Sequence, residues 1–213
     1  MKKLNLDTLA ANILTYLKKN SSQLLSKASL NSPRAVGDAV QMEIAENAMP
    51  YVLTNEKIGV KSDFSRRSME DLAFTCNKKY YAIDVKTHNL DTDFNMPNLI
   101  SVKRLSQFYQ NDDNNYFCIL IVSYRVRNEK IEYTECHLKP IESFNWECLT
   151  LGALGWGQIQ IANANNISFC NSTRKIWMLT LCDKVEQFYD EEIGKIGERK
   201  SWFSQTRIYW ENK

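Results

Sequence analysis

Apolar residues near the start of the chain recur at the spacing of an α-helix. Leucine and isoleucine side chains repeat every three or four positions from Leu6 to Leu17, which predicts an amphipathic helix. Ser32 and Pro33 predict the start of a second helix, because serine caps helix N-termini and proline suits the first helical position. Helical spacing of apolar residues then continues to Val52. The first part of the chain is therefore predicted to be helical.

Shorter apolar runs in the middle of the chain predict strands. Residues 71–74 and 80–85 are β-prone and flank a polar turn at residues 77–79, which predicts a hairpin. Residues 116–124 are almost continuously apolar, as expected of a central strand that is buried on both faces. Residues 130–137 partly alternate between apolar and polar and are predicted to pair with that strand.

The remaining pattern predicts loops, one short strand and two helices. The polar, asparagine-rich residues 87–98 predict a loop, and residues 100–108 predict a short helix. A glycine-rich loop leads into a short strand at residues 158–161, and the last strong helix is predicted to begin at Ser172 and Thr173.

This order of helices, strands and a final helix predicts an α/β (α+β) fold with a mixed central β-sheet flanked by helices. A single domain is expected over residues 1–213, which is long enough to bury a substantial core. Within it we expect N-terminal helices over residues 1–53, a sheet over residues 70–165 and a C-terminal helix over residues 172–195.

Composition narrows the class of protein only slightly. The net charge is +2, with 44% hydrophobic and 24% charged residues, which is an ordinary globular balance that neither requires nor excludes a polyanionic partner. The six cysteines form no Cys-x-x-Cys pair and there are only two histidines, which argues against a zinc site. No secretory pattern follows Met1 and no apolar run reaches membrane-spanning length, so we expect a cytoplasmic protein with no membrane partner.

The strongest chemical signal is Asp84 and Lys86, with Asp71 thirteen residues before Asp84. Side chains two apart on a strand point to the same face, and Asp71 lies one hairpin away. Two aspartates, with the backbone carbonyl of Val85 as a further ligand, suit Mg²⁺, and Lys86 can position water or stabilise developing charge. Such a site suggests phosphodiester hydrolysis. The alternative is that these are ordinary solvated charges at the edge of a sheet.

The arrangement of Asp71 and residues 84–86 resembles the active-site signature of the PD-(D/E)XK nuclease superfamily. Residues 83–89, followed by residues 96–101, are more closely similar to type II restriction endonucleases of the HincII/EcoRV-like branch. Further similar stretches occur in the same order at residues 36–38, 158–161 and 172–174, so the resemblance spreads over roughly residues 36–190.

The resemblance implies a restriction-endonuclease-like core and a Mg²⁺-dependent homodimer that cuts double-stranded DNA at a short, palindromic sequence. It implies products with 5′-phosphate and 3′-hydroxyl ends, and a cognate DNA methyltransferase as a genetic neighbour. Asp71 and Asp84 correspond to metal ligands and Lys86 to the catalytic lysine. The sequence departs from the family pattern at Glu70, where proline is usual. Glu70 is an alternative ligand, although we expect it to point to the opposite face of the strand.

Related enzymes often add an acidic residue from the N-terminal helix to the site. Asp38, Glu43 and Glu46 are the candidates here, and the sequence does not choose among them.

Sequence readout of DNA is expected from side-chain amides, while basic residues contact phosphates. Residues 152–165 combine glycines with amides and resemble the reading segment of these enzymes, and the loop over residues 89–98 is a second candidate. An ordinary glycine loop followed by a polar edge strand is the alternative. The predicted DNA-binding residues are Asn89, Asn98, Lys103, Gln158, Gln160, Asn163 and Arg174.

Two other functions remain open at this point. One is a DNA repair or recombination nuclease of the same fold, and the other is a DNA-binding module that does not cleave. The presence of Asp71, Asp84 and Lys86 argues against a module that does not cleave. The similarity at residues 158–161 favours a restriction enzyme over a repair nuclease.

Overall fold

The computed structural model describes residues 4–20, 32–54, 58–65, 68–92, 97–128, 130–162 and 166–213. The predicted N-terminal helices are present within this part of the chain. Helix α1 spans Leu6–Asn20 and α2 spans Pro33–Glu43; a π-helical turn at Ile44–Ala48 then leads into α3 at Met49–Thr54. Ser32 caps α2 as predicted, because its Oγ accepts a hydrogen bond from the Ala35 N–H at 3.3 Å.

A mixed sheet of five strands forms the centre of the fold, which confirms the predicted fold class. Its strand order is β1-β2-β3-β5-β6, with β3 and β5 parallel and the other neighbours antiparallel. The strands of this sheet are β1 (Val60–Lys61), β2 (Leu72–Cys76), β3 (Lys79–Asn89), β5 (Asn115–Arg127) and β6 (Lys130–Pro140).

The predicted hairpin is formed by β2 and β3. Asn77 and Lys78 make its two-residue turn with φ angles of 51° and 64°, the left-handed conformation that tight hairpins need. Strand β3 is longer than predicted, since Thr87, His88 and Asn89 continue the ladder and pair with β5. The prediction of a loop from residue 87 was therefore wrong for these three residues. Their polar side chains did not indicate a strand, because parallel pairing with β5 and not an apolar pattern makes this segment extended.

A second, three-stranded sheet has the order β4-β8-β7. Residues Asn98–Ser101 form β4, so the helix predicted at residues 100–108 begins later, at Val102, and α4 spans Val102–Asn111. Pairing of β4 with β8 explains why these residues are extended. The other two strands are β7 (Leu149–Gly152) and the predicted β8 (Gln158–Ile161).

The central sheet is buried on both faces. Odd-numbered side chains of β3, such as Ile83 and Val85, pack with α1, α2 and α3 in one hydrophobic cluster. Ala82, on the other face, belongs to a second cluster that includes Leu105 of α4 and Ile159 of β8. The even-numbered positions of β3 therefore face α4 and the small sheet.

The last helix, α5, spans Arg174–Glu211 and contributes Trp177 and Leu181 to the second cluster. Its predicted start is confirmed, because Thr173 caps it by accepting a hydrogen bond from the Ile176 N–H at 3.3 Å. Its predicted end near residue 195 was wrong by sixteen residues. The apolar face that contacts the core fades after Tyr189, but no proline follows to end the helix.

Two expectations from composition can be compared with the structure. All six cysteines lie in the described part of the chain and are free thiols, of which Cys118 and Cys148 are buried. Among the described residues, no helix combines the length and the apolar character needed to cross a membrane.

Candidate active site

Asp84 and Lys86 project from the same face of β3 and form an ion pair. The Lys86 Nζ donates a hydrogen bond to Asp84 Oδ1 at 2.8 Å. Both residues lie within the strand rather than at its end, since the β3–β5 ladder continues three residues past Lys86. Ile119 and Ile121 of β5 stand beside them and hold their backbone in place.

Asp71 is brought to this pair by the register of the hairpin. Leu72 pairs with Ile83, and the Asp71 N–H donates to the Ile83 carbonyl at 2.9 Å, so Asp71 lies beside Asp84. Its Oδ2 accepts a hydrogen bond from the Val85 N–H at 2.7 Å. The Asp71 carboxylate thus reaches β3 between Asp84 and Lys86, as the thirteen-residue spacing suggests.

The predicted third ligand, the Val85 carbonyl, lies on the same side of β3 as the Asp71 carboxylate. In an extended strand the N–H and C=O of one residue point to the same side, and the Val85 N–H points to Asp71. Strand β2 begins at Leu72, which pairs with Ile83, so the β2–β3 ladder ends before Val85.

Burial makes the two carboxyl groups unusually basic. Asp84 is only 7% exposed, and this burial raises its pKa to about 7, although Lys86 opposes the rise and Asp71 adds to it. Burial also raises the pKa of Asp71, against the lowering effects of the Val85 N–H, Lys86 and Gln41. Asp84 Oδ2 is buried and has no hydrogen-bond partner among the described residues. This oxygen is available to a ligand.

The residues present fit a hard divalent cation. Mg²⁺ usually takes one or two protein carboxylates and completes its shell with water and phosphate oxygens. The described residues contain no cluster of three or more His, Cys, Asp or Glu side chains that could hold a metal. A metal here would therefore be held by Asp71, Asp84 and the Val85 carbonyl, and it would satisfy the unpaired Asp84 oxygen.

A cavity of about 420 Å³ opens beside Asp71. The three candidate acidic residues of the N-terminal helices differ in whether they line it. Asp38 and Glu46 line this cavity together with Asp71. Glu43 does not line it; its Oε2 accepts a hydrogen bond from Asn47 Nδ2 at 2.8 Å, and its carboxylate raises the pKa of the Tyr16 hydroxyl after the larger effect of burial. The geometry therefore favours Asp38 or Glu46.

Glu70 lies on the cavity side, contrary to the expected opposite orientation. That expectation requires a strand at Glu70, but β2 begins only at Leu72. Glu70 lines the same cavity as Asp71, and its Oε1 accepts a hydrogen bond from the Tyr80 hydroxyl at 3.1 Å. Burial first, and Glu70 second, raise the pKa of Tyr80 to about 12. Glu70 is thus bound to the Tyr80 side chain near the start of β3, whereas Asp71 is the carboxylate that contacts β3 at Val85, between Asp84 and Lys86.

Sequence reasoning missed Gln41. This α2 residue lines the cavity and hydrogen-bonds to the Asp71 side chain, which lowers the pKa of Asp71. Gln41 follows Asp38 by three residues, so the two share one face of the helix. That spacing was the signal that could have identified it.

Helix α2 approaches β3 closely at Gly37. A Cβ added to Gly37 would lie 2.8 Å from Thr87 Oγ1 on β3. Glycine is therefore needed at this contact for steric reasons.

We expect Gly37→Ala to destabilise the protein by about 1–3 kcal/mol, because the added methyl group forces α2 away from β3. Chemical denaturation of the variant measures this loss. Gly197→Ala on α5 is the matched control, since a Cβ there meets nothing within 4 Å, and it should be neutral or stabilising. Adding Thr87→Ala to this variant should recover most of the lost stability. A Gly37→Ala protein as stable as wild type would contradict the close contact between Gly37 and Thr87.

The predicted DNA-reading amides meet on one face of the small sheet. Ile159 and Ile161 are buried on its other face, while Gln158 and Gln160 are half-buried and share the polar face. Gln160 Nε2 donates to Asn98 Oδ1 at 2.6 Å, and its amide covers Gly152, where a Cβ would lie 2.6 Å from Gln160 Oε1. Asn163 falls outside the described residues.

Lys103 lies beside the glycine loop that precedes β8. Its Nζ is 4.4 Å from the centroid of the Trp156 ring, and Trp156 is itself 61% exposed. The Tyr189 hydroxyl donates to the Trp156 carbonyl at 2.7 Å and ties the loop to α5. Lys103 and Trp156 therefore form an exposed cationic and aromatic edge next to Gln158.

Asn89 lies at the end of β3 and organises the turn that follows. Its Oδ1 accepts a hydrogen bond from the Asp91 N–H at 3.0 Å. Asp91 forms ion pairs with Arg125 at 3.0 Å and Arg127 at 2.8 Å, and these contacts lower its pKa. Contact of these two arginines with DNA phosphates would compete with Asp91.

Arg174 is half-buried and is held by contacts within the protein. Its Nε donates to Glu142 Oε1 at 3.1 Å, another of its nitrogens donates to the Asp113 carbonyl at 2.9 Å, and its guanidinium lies 4.4 Å from the Tyr116 ring centroid. Tyr116 pairs with Tyr81, towards the amino end of β3 and away from Lys86. These contacts give Arg174 a structural role, and its contact with phosphate stays a prediction.

Comparison with known proteins adds no relative. No protein-family model matches the chain, and no curated protein sequence matches it. Functional inference therefore depends on the motif and on the geometry described above.

Proposed function

We propose that the chain is a Mg²⁺-dependent endonuclease, and specifically a type II restriction endonuclease that hydrolyses phosphodiester bonds of duplex DNA. One observation carries the proposal: the buried Asp84 has an unpaired carboxylate oxygen and lies beside both Asp71 and Lys86. A buried carboxylate, a half-buried carboxylate and an ammonium group at one point of a sheet are difficult to explain by stability alone, because removing each charge from water is unfavourable.

Asp71, Asp84 and the Val85 carbonyl would hold the metal. Mg²⁺, when bound, would lower the pKa of a water molecule and offset negative charge on the phosphate. It would also keep Asp84 ionised at neutral pH, because without a metal the pKa of this group is raised, mainly by burial, to about 7.

Lys86 supplies positive charge and hydrogen-bond donors to the same region. Its side chain is about one quarter exposed, so its ammonium can contact a phosphate at the surface while still touching Asp84. In the proposed reaction a water oxygen bonds to phosphorus, the bond from phosphorus to the 3′ oxygen breaks, and that oxygen takes a proton. The products carry 5′-phosphate and 3′-hydroxyl ends. Lys86 would stabilise the charge that develops on the phosphate.

The polar face of the small sheet is the proposed site of sequence readout. Gln158, Gln160 and Asn98 present amide donors and acceptors that suit base edges, and Lys103 is placed for a phosphate. A palindromic target would require two copies of the chain related by a two-fold axis. We further propose a cytoplasmic setting, which the free thiols support, and a methyltransferase encoded nearby.

We expect Gln158→Ala to weaken binding to the cognate sequence about 10- to 100-fold while leaving non-specific binding unchanged, because a lost base contact costs roughly 1–3 kcal/mol. Competitive fluorescence anisotropy with cognate and scrambled duplexes measures both affinities. Gln187→Ala, on the exposed part of α5, is the matched control. Equal loss on both duplexes would contradict a reading role for Gln158.

Digestion of a diverse DNA pool, with sequencing of every fragment end, tests the restriction assignment. Cuts at one short symmetric sequence support it. Cuts at flaps, junctions or lesions would support a repair or recombination nuclease, and specific binding with no cuts would support a DNA-binding module.

A further inference from the structure

The second half of α5 carries an apolar surface that the described part of the chain leaves open. Helix α5 has 38 residues and is about 57 Å long, but its contacts with the rest of the protein end near Tyr189, after about four turns. Beyond residue 190 most positions are exposed. Seven large apolar side chains there are more than half exposed: Ile193, Ile196, Trp202, Phe203, Ile208, Tyr209 and Trp210.

These side chains follow a seven-residue repeat. Tyr189, Ile196, Phe203 and Trp210 are spaced seven apart, and Ile193 lies beside them on the same face. Trp202 and Tyr209 repeat with the same period on the adjoining face. A seven-residue apolar repeat is the pattern by which one helix packs along another, since it keeps a single stripe facing the partner. We call Ile193, Ile196, Phe203 and Trp210 the α5 stripe; Tyr189, which is half-buried and donates its hydroxyl to the Trp156 carbonyl, lies at its inner end.

Charge along α5 identifies the partner. Residues 183–192 contain five acidic side chains and one basic side chain, whereas residues 199–213 contain four basic side chains and one acidic side chain. Two parallel copies of α5 would set like charges against each other. Two antiparallel copies would set the acidic half of each against the basic half of the other.

We propose that α5 pairs antiparallel with α5 of a second copy of this chain, through the α5 stripe. Placing Ile196 level with Phe203 of the second copy also places Tyr189 level with Trp210 and Glu192 level with Arg207. The paired segment is about 33 Å long, and the arrangement has the two-fold symmetry of most homodimers. The inference rests on α5 and not on the nuclease chemistry, although it supplies an interface for the proposed dimer.

Sedimentation velocity of the full chain over a range of concentrations tests this pairing. Wild type should sediment at twice the mass of one chain, and Phe203→Glu should raise the dimer dissociation constant about 30-fold or more, as expected for a central aromatic contact. Gln205→Glu is the matched control, because it adds the same charge on the opposite face of the same helix, and it should dimerise like wild type.

Charge reversal tests the antiparallel direction. Arg207→Glu should weaken the dimer, and the double variant Glu192→Arg with Arg207→Glu should restore it, because each new arginine then faces a new glutamate. Lys86→Ala should dimerise normally, which separates this pairing from catalysis. Three results would overturn the proposal: a monomeric wild type at about 50 µM, a dimer that Phe203→Glu leaves intact, or a monomer that binds anionic phospholipid vesicles through the stripe.

Discussion

Lys86→Ala should lower the single-turnover rate of DNA cleavage about 10³-fold and leave the affinity for the cognate duplex nearly unchanged. The Lys86 ammonium is the only cationic side chain among the described residues for which the structure gives a direct contact with Asp84. Removing one preorganised group that stabilises developing charge typically costs 10²–10³ in rate. Binding is spread over many other contacts, so it should survive.

Lys79→Ala is the matched control for this variant. Lys79 begins the same strand, seven residues and roughly 23 Å from Lys86, where its Nζ donates to the Tyr116 hydroxyl at 3.0 Å. Quenched-flow measurement of cleavage and gel-shift measurement of binding should show near wild-type values for Lys79→Ala. Cleavage by Lys86→Ala at the wild-type rate would contradict the proposed catalytic role of Lys86.

Asp84→Asn should abolish cleavage and yet stabilise the metal-free protein at neutral pH. In the folded protein the pKa of Asp84 is raised to about 7 from its ordinary value of 3.8. Between these two values the folded state binds more protons than the unfolded state, so stability falls as pH rises through this window. Asparagine carries no charge, so the variant avoids this loss, and its side-chain oxygen can still accept from Lys86.

Thermal unfolding in EDTA between about pH 5 and pH 8 measures this effect. The stability of the variant relative to wild type should rise by on the order of 2 kcal/mol, or roughly 4–8 °C, between pH 5 and pH 7, the upper part of this window. Added Mg²⁺ should stabilise wild type and not the variant. Asp183→Asn, at an exposed position of α5, should change neither curve. A variant less stable than wild type at pH 8 would contradict the raised pKa.

The hairpin that carries Asp71, Asp84 and Lys86 was predictable because short-range rules determine it. Two β-prone runs separated by a two-residue turn fix the register, and the register places Asp71 beside Asp84. The fold class followed from the order of elements. The length of β3 could not be predicted in this way. Thr87, His88 and Asn89 are extended because they pair with β5, and β5 begins 26 residues after Asn89. Polar sequence alone gives no sign of that partner.

Residues of the site that come from distant segments were harder to predict. The spacing of Gln41 from Asp38 places both on one face of α2, but Gln41 contacts Asp71 only because α2 packs on β3 at Gly37, and no local pattern predicts that packing. The same packing separates Asp38 and Glu46, which line the cavity, from Glu43, which does not. Arg174 was predicted to bind DNA, but Glu142, 32 residues earlier, holds it by an ion pair.

The central claim is that Asp71, Asp84 and Lys86 form a metal-dependent phosphodiesterase site. Its most direct test is incubation of the purified protein with duplex DNA in Mg²⁺ and, in parallel, in excess EDTA, with the chemistry of the new ends determined. The proposed site predicts double-strand breaks with 5′-phosphate and 3′-hydroxyl ends in Mg²⁺ and intact DNA in EDTA. Cleavage that persists unchanged in EDTA, or DNA that stays intact in Mg²⁺, would contradict it.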